Sequence, residues 1–388
     1  AIGPVRTAPL QFGAIRVALE QWIPSLARRW PRLAAWLDAP ARLRLATRRA
    51  GRVDPRRLGP LTLSMLRGEA GRQAAELDRL VEWFRTDGSP DAILLSNALL
   101  LGLARRLNRD LHAPVVCLLQ DEDVWLDALP AAQRASVEAE LRDRARDVRR
   151  FVSVTHAYAR CFAPRLGLAP EQIEVIGPPI EAPAQPAAAP SVATLGFRAR
   201  LCASLGLDDL IAAWLELRRL PELRRLRLYA AGGALPPDVA ALRRWQRRLA
   251  ATGDLADAQF ETDFEPTRTE AFHHSISLLS VPSQIETGGG LQLLEAIAAG
   301  VPVVQPDRGA FGEVVRTTGG GWLYDPSVPG ALVETLRPLL LQPTHLRERG
   351  AAGRAVVLRE FSPARIAERW LQLLEAARRE ATSASFRP

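Results

Sequence analysis

The run from Val281 to Gly300, VPSQIETGGGLQLLEAIAAG, sets two carboxylates on either side of three glycines. An apolar strand ends in a polar turn, the glycines follow, and an apolar helix begins near Leu291. Residues of these types in this order suit an anion. Gly288, Gly289 and Gly290 let backbone approach a phosphate closely, and the N–H groups and positive dipole end of a helix starting at Leu291 would face it. Glu295, in the second turn of that helix, has the reach and the acceptor oxygens for the two hydroxyls of a ribose. Glu286, before the glycines, is placed to hold sugar hydroxyls. A glycine run by itself also serves as a plain strand-to-helix connection, so the elements around it have to decide.

Those elements alternate. Short apolar runs at Ala92 to Leu95, Pro114 to Leu119, Phe151 to Val154 and Ile173 to Ile176 read as strands, with helical stretches at Ala98 to Leu107 and Ala131 to Arg149 between them. From Pro178 to Pro190 alanine and proline dominate and no period survives, which marks a linker. The alternation then restarts. Strands are expected at Val192 to Gly196, Leu226 to Ala230, Ala258 to Glu261, Ile276 to Val281 and Pro302 to Gln305, and helices at Asp208 to Arg219, Val239 to Ala250, Thr267 to His274 and Leu291 to Ala299. Strands alternating with helices give parallel βαβ units with both sheet faces covered. The expectation is an α/β protein with two Rossmann-like doubly wound domains, residues 1–186 and 187–388, facing a cleft. Ligands of such sheets bind outside the carboxyl ends of the strands.

Composition narrows the function classes. The chain has 388 residues, 47% hydrophobic and 24% charged, as an ordinary globular protein does. Its formal charge is +8, and all 51 basic side chains are arginine. Over most of the chain the arginines interleave with acids along helices, so the surface reads as solvated and no nucleic-acid partner is expected. Between Gln21 and Arg57, Trp22, Trp30 and Trp36 alternate with Arg28, Arg29, Arg32, Arg42 and Arg44, a pattern that suits peripheral contact with an anionic membrane as well as it suits helices of a soluble domain. Cys117, Cys161 and Cys202 are odd in number and sit in or beside apolar runs, the pattern of buried thiols in a reducing cytoplasm. No stretch reaches the ~20 apolar residues of a membrane span.

The continuation from Leu294 to Val315, LEAIAAGVPVVQPDRGAFGEVV, followed by Gly319 to Pro326, GGGWLYDP, resembles the donor half of glycosyltransferase family 4, of the two-domain GT-B fold. Leu195 to Cys202 is similar to that family's first donor-domain strand, Tyr229 to Gly233 to its next, and Phe361 to Pro363 to its closing helix. In the other half, Ser96, Asn97 and the run Val115 to Asp123 resemble its strand ends. The resemblance implies transfer of a hexose from a nucleotide diphosphate sugar to a glycan or lipid-linked acceptor, with retention at the anomeric carbon, no bound metal and no cofactor, in the cytoplasm or at a membrane. It implies Glu286 near the sugar, Glu295 on the ribose, Arg200 on the diphosphate with the backbone of Gly288 to Leu291, and Asn97, Gln120 and Gly233 among the substrate contacts.

The pattern also departs from the family. A diphosphate lysine would fall where Leu205 stands, and a histidine where Gln120 stands. Eight residues separate Glu286 from Glu295 where seven are usual. The family's first strand and Gly-rich loop are not visible before Gly13, so the domain is expected to lack its first strand. An alternative therefore stays open: a catalytically impaired or incomplete relative that binds a nucleotide sugar without turning it over. A nucleotide-sugar epimerase of the same fold fits the run Leu294 to Val315 less closely. Asp121, Glu122 and Asp123 suit hydroxyl contacts or a helix cap equally. His273 and His274, adjacent on a helix, point about 100 degrees apart and make a poor metal pair. His156, after a strand, is a candidate for acceptor contact or for packing.

Overall fold

A computed structural model describes residues 55–263 and 265–384 of the chain. The tryptophan and arginine positions from Trp22 to Arg44, and the region before Gly13, lie outside the described residues. Two compact units emerge. The first comprises the described residues up to Ser153 together with Ala159–Val175 and the chain from Leu371 on; the second comprises Val154–Tyr158 and Ile176–Trp370.

The first unit is built on a parallel sheet of β1 (Ile93–Leu95), β2 (Val115–Leu119), β3 (Arg150–Ser153) and β4 (Ile173–Val175), in that order. β2 reads Val-Val-Cys-Leu-Leu and is almost wholly buried, as a strand covered on both faces must be. The helix expected over Ala98 to Leu107 divides in two. A tight 3-10 stretch, Ala98–Leu103, leads into an α-helix, Ala104–Leu111. Its start is capped by the Asn97 side chain, which accepts from the Leu99 N–H at 3.0 Å. The end of the last helix, Pro363–Ala384, is tied to this unit by ion pairs from Arg378 to Asp91 at 3.1 Å and from Arg150 to Glu380.

The second unit holds six parallel strands, β5 (Thr194–Arg198), β6 (Arg227–Ala231), β7 (Ala258–Glu261), β8 (Leu278–Leu279), β9 (Val303–Pro306) and β10 (Gly321–Tyr324), in the spatial order β10-β9-β8-β5-β6-β7. Numbered from its own start this is 6-5-4-1-2-3, the Rossmann arrangement, with the order reversing between β5 and β8. The strand expected over Ile276 to Val281 pairs only at Leu278–Leu279, and Gly321–Tyr324 adds a strand that the periodicity did not set apart. Large side chains, Phe197, Trp214, Phe272 and Phe311, are fully buried in one core with the leucines of the flanking helices.

The Ala/Pro stretch from Pro178 to Pro190 lies along the second unit. Ile180 N–H donates to Phe361 O at 2.8 Å, Ala187 N–H to Ala299 O at 2.7 Å, and the Arg354 guanidinium to Pro183 O at 2.6 Å. Proline removes the donors that a strand would need, and the remaining N–H groups find partners outside the sheet.

Candidate functional site

Parallel sheets of this kind bind ligands outside the carboxyl ends of the strands where the strand order reverses. Here the reversal lies between β5 and β8, and the polar turns after both strands meet there. The turn after β8 begins at Val281 and is braced on all sides. Val281 N–H donates to the buried Gln305 side chain at 3.1 Å, and Ser283 Oγ donates to Ile285 O at 2.8 Å. Arg308 Nη1 donates to Gln284 O at 2.6 Å, and Gln284 Nε2 donates to Asp209 at 2.9 Å. Gln284 N–H reaches Ser204 O, in the turn after β5, at 3.0 Å. The two turns approach so closely that a Cβ on Gly206 would sit 1.9 Å from Pro282 O, and Gly206 takes φ +82 as well. Only glycine satisfies both demands.

The three glycines follow. Thr155 Oγ1 donates to Gly288 O at 2.8 Å, and Ala310 N–H to Thr287 O at 3.1 Å, so the approach to the helix is held from two sides. Gly290 is the N-cap of Leu291–Ala298, and its carbonyl accepts from Leu293 and Leu294 N–H, both at 3.0 Å. Five residues of the helix are buried, while Leu291 is 47% exposed. Leu291 and Glu295, four apart, share the face turned away from the core. The helix ends where Gly300 takes φ +81 and Val301 N–H closes on Ala296 O at 2.9 Å. At the other end, the N–H groups of Leu291 and Gln292 make no backbone hydrogen bond among the described residues and, with the helix dipole, form a place for negative charge.

The side chains expected around this cradle are in different states. Glu295 is paired: Arg198, the last residue of β5, donates through Nη1 to its Oε2, and through Nη2 to Thr269 Oγ1 at 3.1 Å. Glu286 is exposed and makes no side-chain hydrogen bond or ion pair among the described residues. Arg200 is also exposed and faces Asp238 at 3.4 Å, the residue that caps the helix Pro236–Thr252 by accepting from Leu235 N–H. Leu205 packs against the core and presents no charge. Gly233, exposed and with no atom near its Cβ direction, accepts from Leu201 N–H at 2.9 Å and so closes the turn holding Arg200.

Beside the Arg198–Glu295 pair lies His273, 3% exposed, with no hydrogen-bond partner for Nε2 among the described residues. Burial, with Arg198 and His274 close by, pushes this imidazole down to about 3, so it stays neutral. His274 Nδ1 accepts from Ala188 N–H at 3.1 Å. Tyr229 OH donates to Glu261 at 2.6 Å, and burial together with that bond pushes the phenol up to about 12.

The expected contacts of the first unit sit at the ends of β1 and β2. Asn97 caps the 98–103 turn, and Gln120 Nε2 donates to Ser96 O at 3.2 Å. Between them Glu122, 3% exposed, accepts from Ala98 N–H and from Gln120 N–H, both at 2.7 Å. Of the three acids at 121–123, Glu122 is thus the one that ties two strand ends together. Asp121 takes a left-handed φ of 59 before the short helix Glu122–Asp127.

Three residues with structural claims on the site were not singled out from sequence: Arg198, Arg308 and Glu313. Glu313 accepts from His156 N–H at 2.8 Å and Ala157 N–H at 2.7 Å, capping the helix His156–Leu166, so His156 enters through its backbone. The available signal was position: Arg198 closes an otherwise apolar strand, Arg308 immediately precedes the helix Gly309–Thr318, and Glu313 lies inside it.

Comparisons with known proteins bear on the fold and the family. Residues 192–342 match the family model described as "Glycosyl transferases group 1". The chain is 29% identical over 197 residues to D-inositol 3-phosphate glycosyltransferase of Segniliparus rotundus, and 29% identical over 167 residues to the putative glycosyltransferase EpsD of Bacillus subtilis. These matches take in 47% and 42% of the chain and span 42% and 40% of those relatives. Among solved structures, Anabaena Alr3699/HepE in complex with UDP superposes with a TM-score of 0.63 at 16% identity, covering 77% of this chain and 82% of that one. The same protein is also known in complex with UDP-glucose.

Proposed function

We propose that this chain, a member of the group 1 glycosyltransferases with the GT-B fold, moves a hexose from a nucleotide diphosphate sugar to a glycan or lipid-linked acceptor with retention of anomeric configuration. The observation that carries the reading is the braced Gly288–Leu291 cradle at the reversal point of the sheet, with Glu295 one turn into the helix behind it. In this reading the first-turn N–H groups and Arg200 hold the diphosphate, Glu295 takes the ribose hydroxyls, and Glu286 takes the sugar.

Breaking the sugar–phosphate bond leaves negative charge on the diphosphate. The helix N-terminus meets part of that charge with fixed dipoles that need no reorganisation. Arg200, whose own side chain is exposed, meets more of it once its guanidinium turns from Asp238, 3.4 Å away. Glu286, unpaired and exposed, is available to the hexose hydroxyls without first breaking a bond. UDP-glucose, seen in complex with the Anabaena neighbour, is the first donor to test.

The test is calorimetry with UDP, GDP and ADP. One of them should bind, and Arg200→Ala should weaken it about tenfold by removing a charge-assisted contact. Binding by none of the three overturns the donor site. A second reading, donor binding without turnover, draws support from Leu205 packing into the core where a second cation would stand. Loss of such a cation costs about 3 to 4 kcal/mol by the oxyanion-hole precedent. Release of free sugar from the bound donor, abolished in Glu286→Gln, decides for transfer; tight binding with no release decides for the second reading.

A further inference from the structure

We propose that Arg198 holds Glu295 in position for the ribose and so sets the preference of this site for ribonucleotides over deoxyribonucleotides, an inference that rests on the donor-site reading above. Glu295 is 28% exposed on the one unburied face of a short helix, and a glutamate there has three rotatable bonds and no neighbour in its own helix to fix them. Arg198 supplies the fix from outside the helix. Its side chain, 15% exposed, leaves the end of β5 and forks, one arm on Glu295 Oε2 and the other on Thr269 Oγ1 at the start of the next helix but two. A planar fork held at two points is stiff, and it permits one carboxylate orientation rather than several.

Two consequences bear on a ribose. Arg198 takes Oε2 of Glu295, so Oε1 is the oxygen presented to a sugar hydroxyl, in a fixed direction. The pair is also neutral as a whole. An unpaired Glu295 one turn behind the glycine cradle would repel a diphosphate, whereas the Arg198–Glu295 pair accepts a hydroxyl without that repulsion. The buried, neutral His273 beside Arg198 adds no second positive charge to this corner.

The experiment compares the dissociation constant of whichever of UDP, GDP and ADP binds with that of its 2′-deoxy and 3′-deoxy forms. The wild-type chain should prefer the ribonucleotide by about tenfold, the worth of one hydrogen bond to a charged group. Arg198→Leu should bring that ratio close to one, and Arg198→Lys, a cation without the fork, should restore part of it. Thr269→Val keeps the ion pair but removes the second anchor, and should give an intermediate ratio even if Arg198→Leu fails to fold. A ratio unchanged in Thr269→Val and in a folded Arg198 variant overturns the inference alone. Failure of all three nucleotides to bind the wild-type chain overturns the donor-site reading and this inference with it.

Discussion

The strand ends of the two units carry polar residues of the same kinds and use them in opposite ways. At the ends of β1 and β2, Asn97, Gln120 and Glu122 turn inward: each bonds to backbone of the adjoining turn, and Glu122 joins the two strand ends with both carboxylate oxygens. At the ends of β5 and β8 the backbone is held by glycine contacts and by Arg308, Ser283 and Gln305, and the acids Glu286 and Glu295 are left to face outward, one alone and one with Arg198. A polar residue at the carboxyl end of a parallel strand therefore has two possible employers, the turn it sits in or a ligand. Which one it serves depends on whether something else already closes the turn.

The largest effect should come from the inward set. Glu122→Ala removes the acceptor of two backbone N–H groups in a buried place, and bonds to a charged acceptor are worth about 1.5 to 3 kcal/mol each. A loss of about 3 kcal/mol in the stability of the first unit is expected, with amide exchange at Ala98 and Gln120 accelerated about a hundredfold. Exchange at these two amides unchanged in the variant would show that Glu122 does not join the strand ends, and the contrast between the units would lose its clearest member.

This division explains how much of the protein was readable beforehand. The alternation of elements, every described strand but Gly321–Tyr324, and the glycine turn before Leu291 are local in sequence, so period and turn chemistry reveal them. The place of Glu295 in the second turn of its helix was legible for the same reason, because a helix start fixes which turn it occupies. Arg198 was not: its partner lies 97 residues away, and one arginine among 51 basic residues carries no mark of its pairing. Glu122 was read with Asp121 and Asp123 as one acidic group, since nothing in the spacing tells which of three neighbours turns into the protein. The 98–107 stretch looked like one helix because its leucines suit either helix type, and the tighter 3-10 winding came with the Asn97 cap and the Glu122 bond to Ala98.

A smaller effect should separate the units by pH. His273 in the second unit is buried and neutral, with a folded pKa near 3 against 6.5 for the free side chain. Below pH 6.5 the unfolded chain takes up a proton that the folded chain refuses, so stability is complete above 6.5 and falls as the pH drops toward 3. The slope is about 1.4 kcal/mol per pH unit, or roughly 2 kcal/mol lost between pH 6.5 and 5. Urea midpoints measured at pH 7 and pH 5 should therefore differ more for the wild-type chain than for His273→Leu. Equal differences would mean that His273 is not the group responsible, and that the neutral corner beside Arg198 has been misread.

The smallest effect tests the outward set. The exposed Glu286 side chain makes no hydrogen bond or ion pair among the described residues, so Glu286→Gln should leave stability within about 0.5 kcal/mol, the range of an ordinary surface change. Its cost should appear only when a hexose is present: binding of the nucleoside diphosphate should stay as in the wild-type chain, while binding of the corresponding nucleotide sugar weakens. A residue kept for packing would give the reverse, a lower denaturation midpoint and equal losses for both ligands. The two ligands together thus separate a carboxylate reserved for a sugar from one that merely ends a turn, which is the distinction that the opposite use of strand-end residues in the two units predicts.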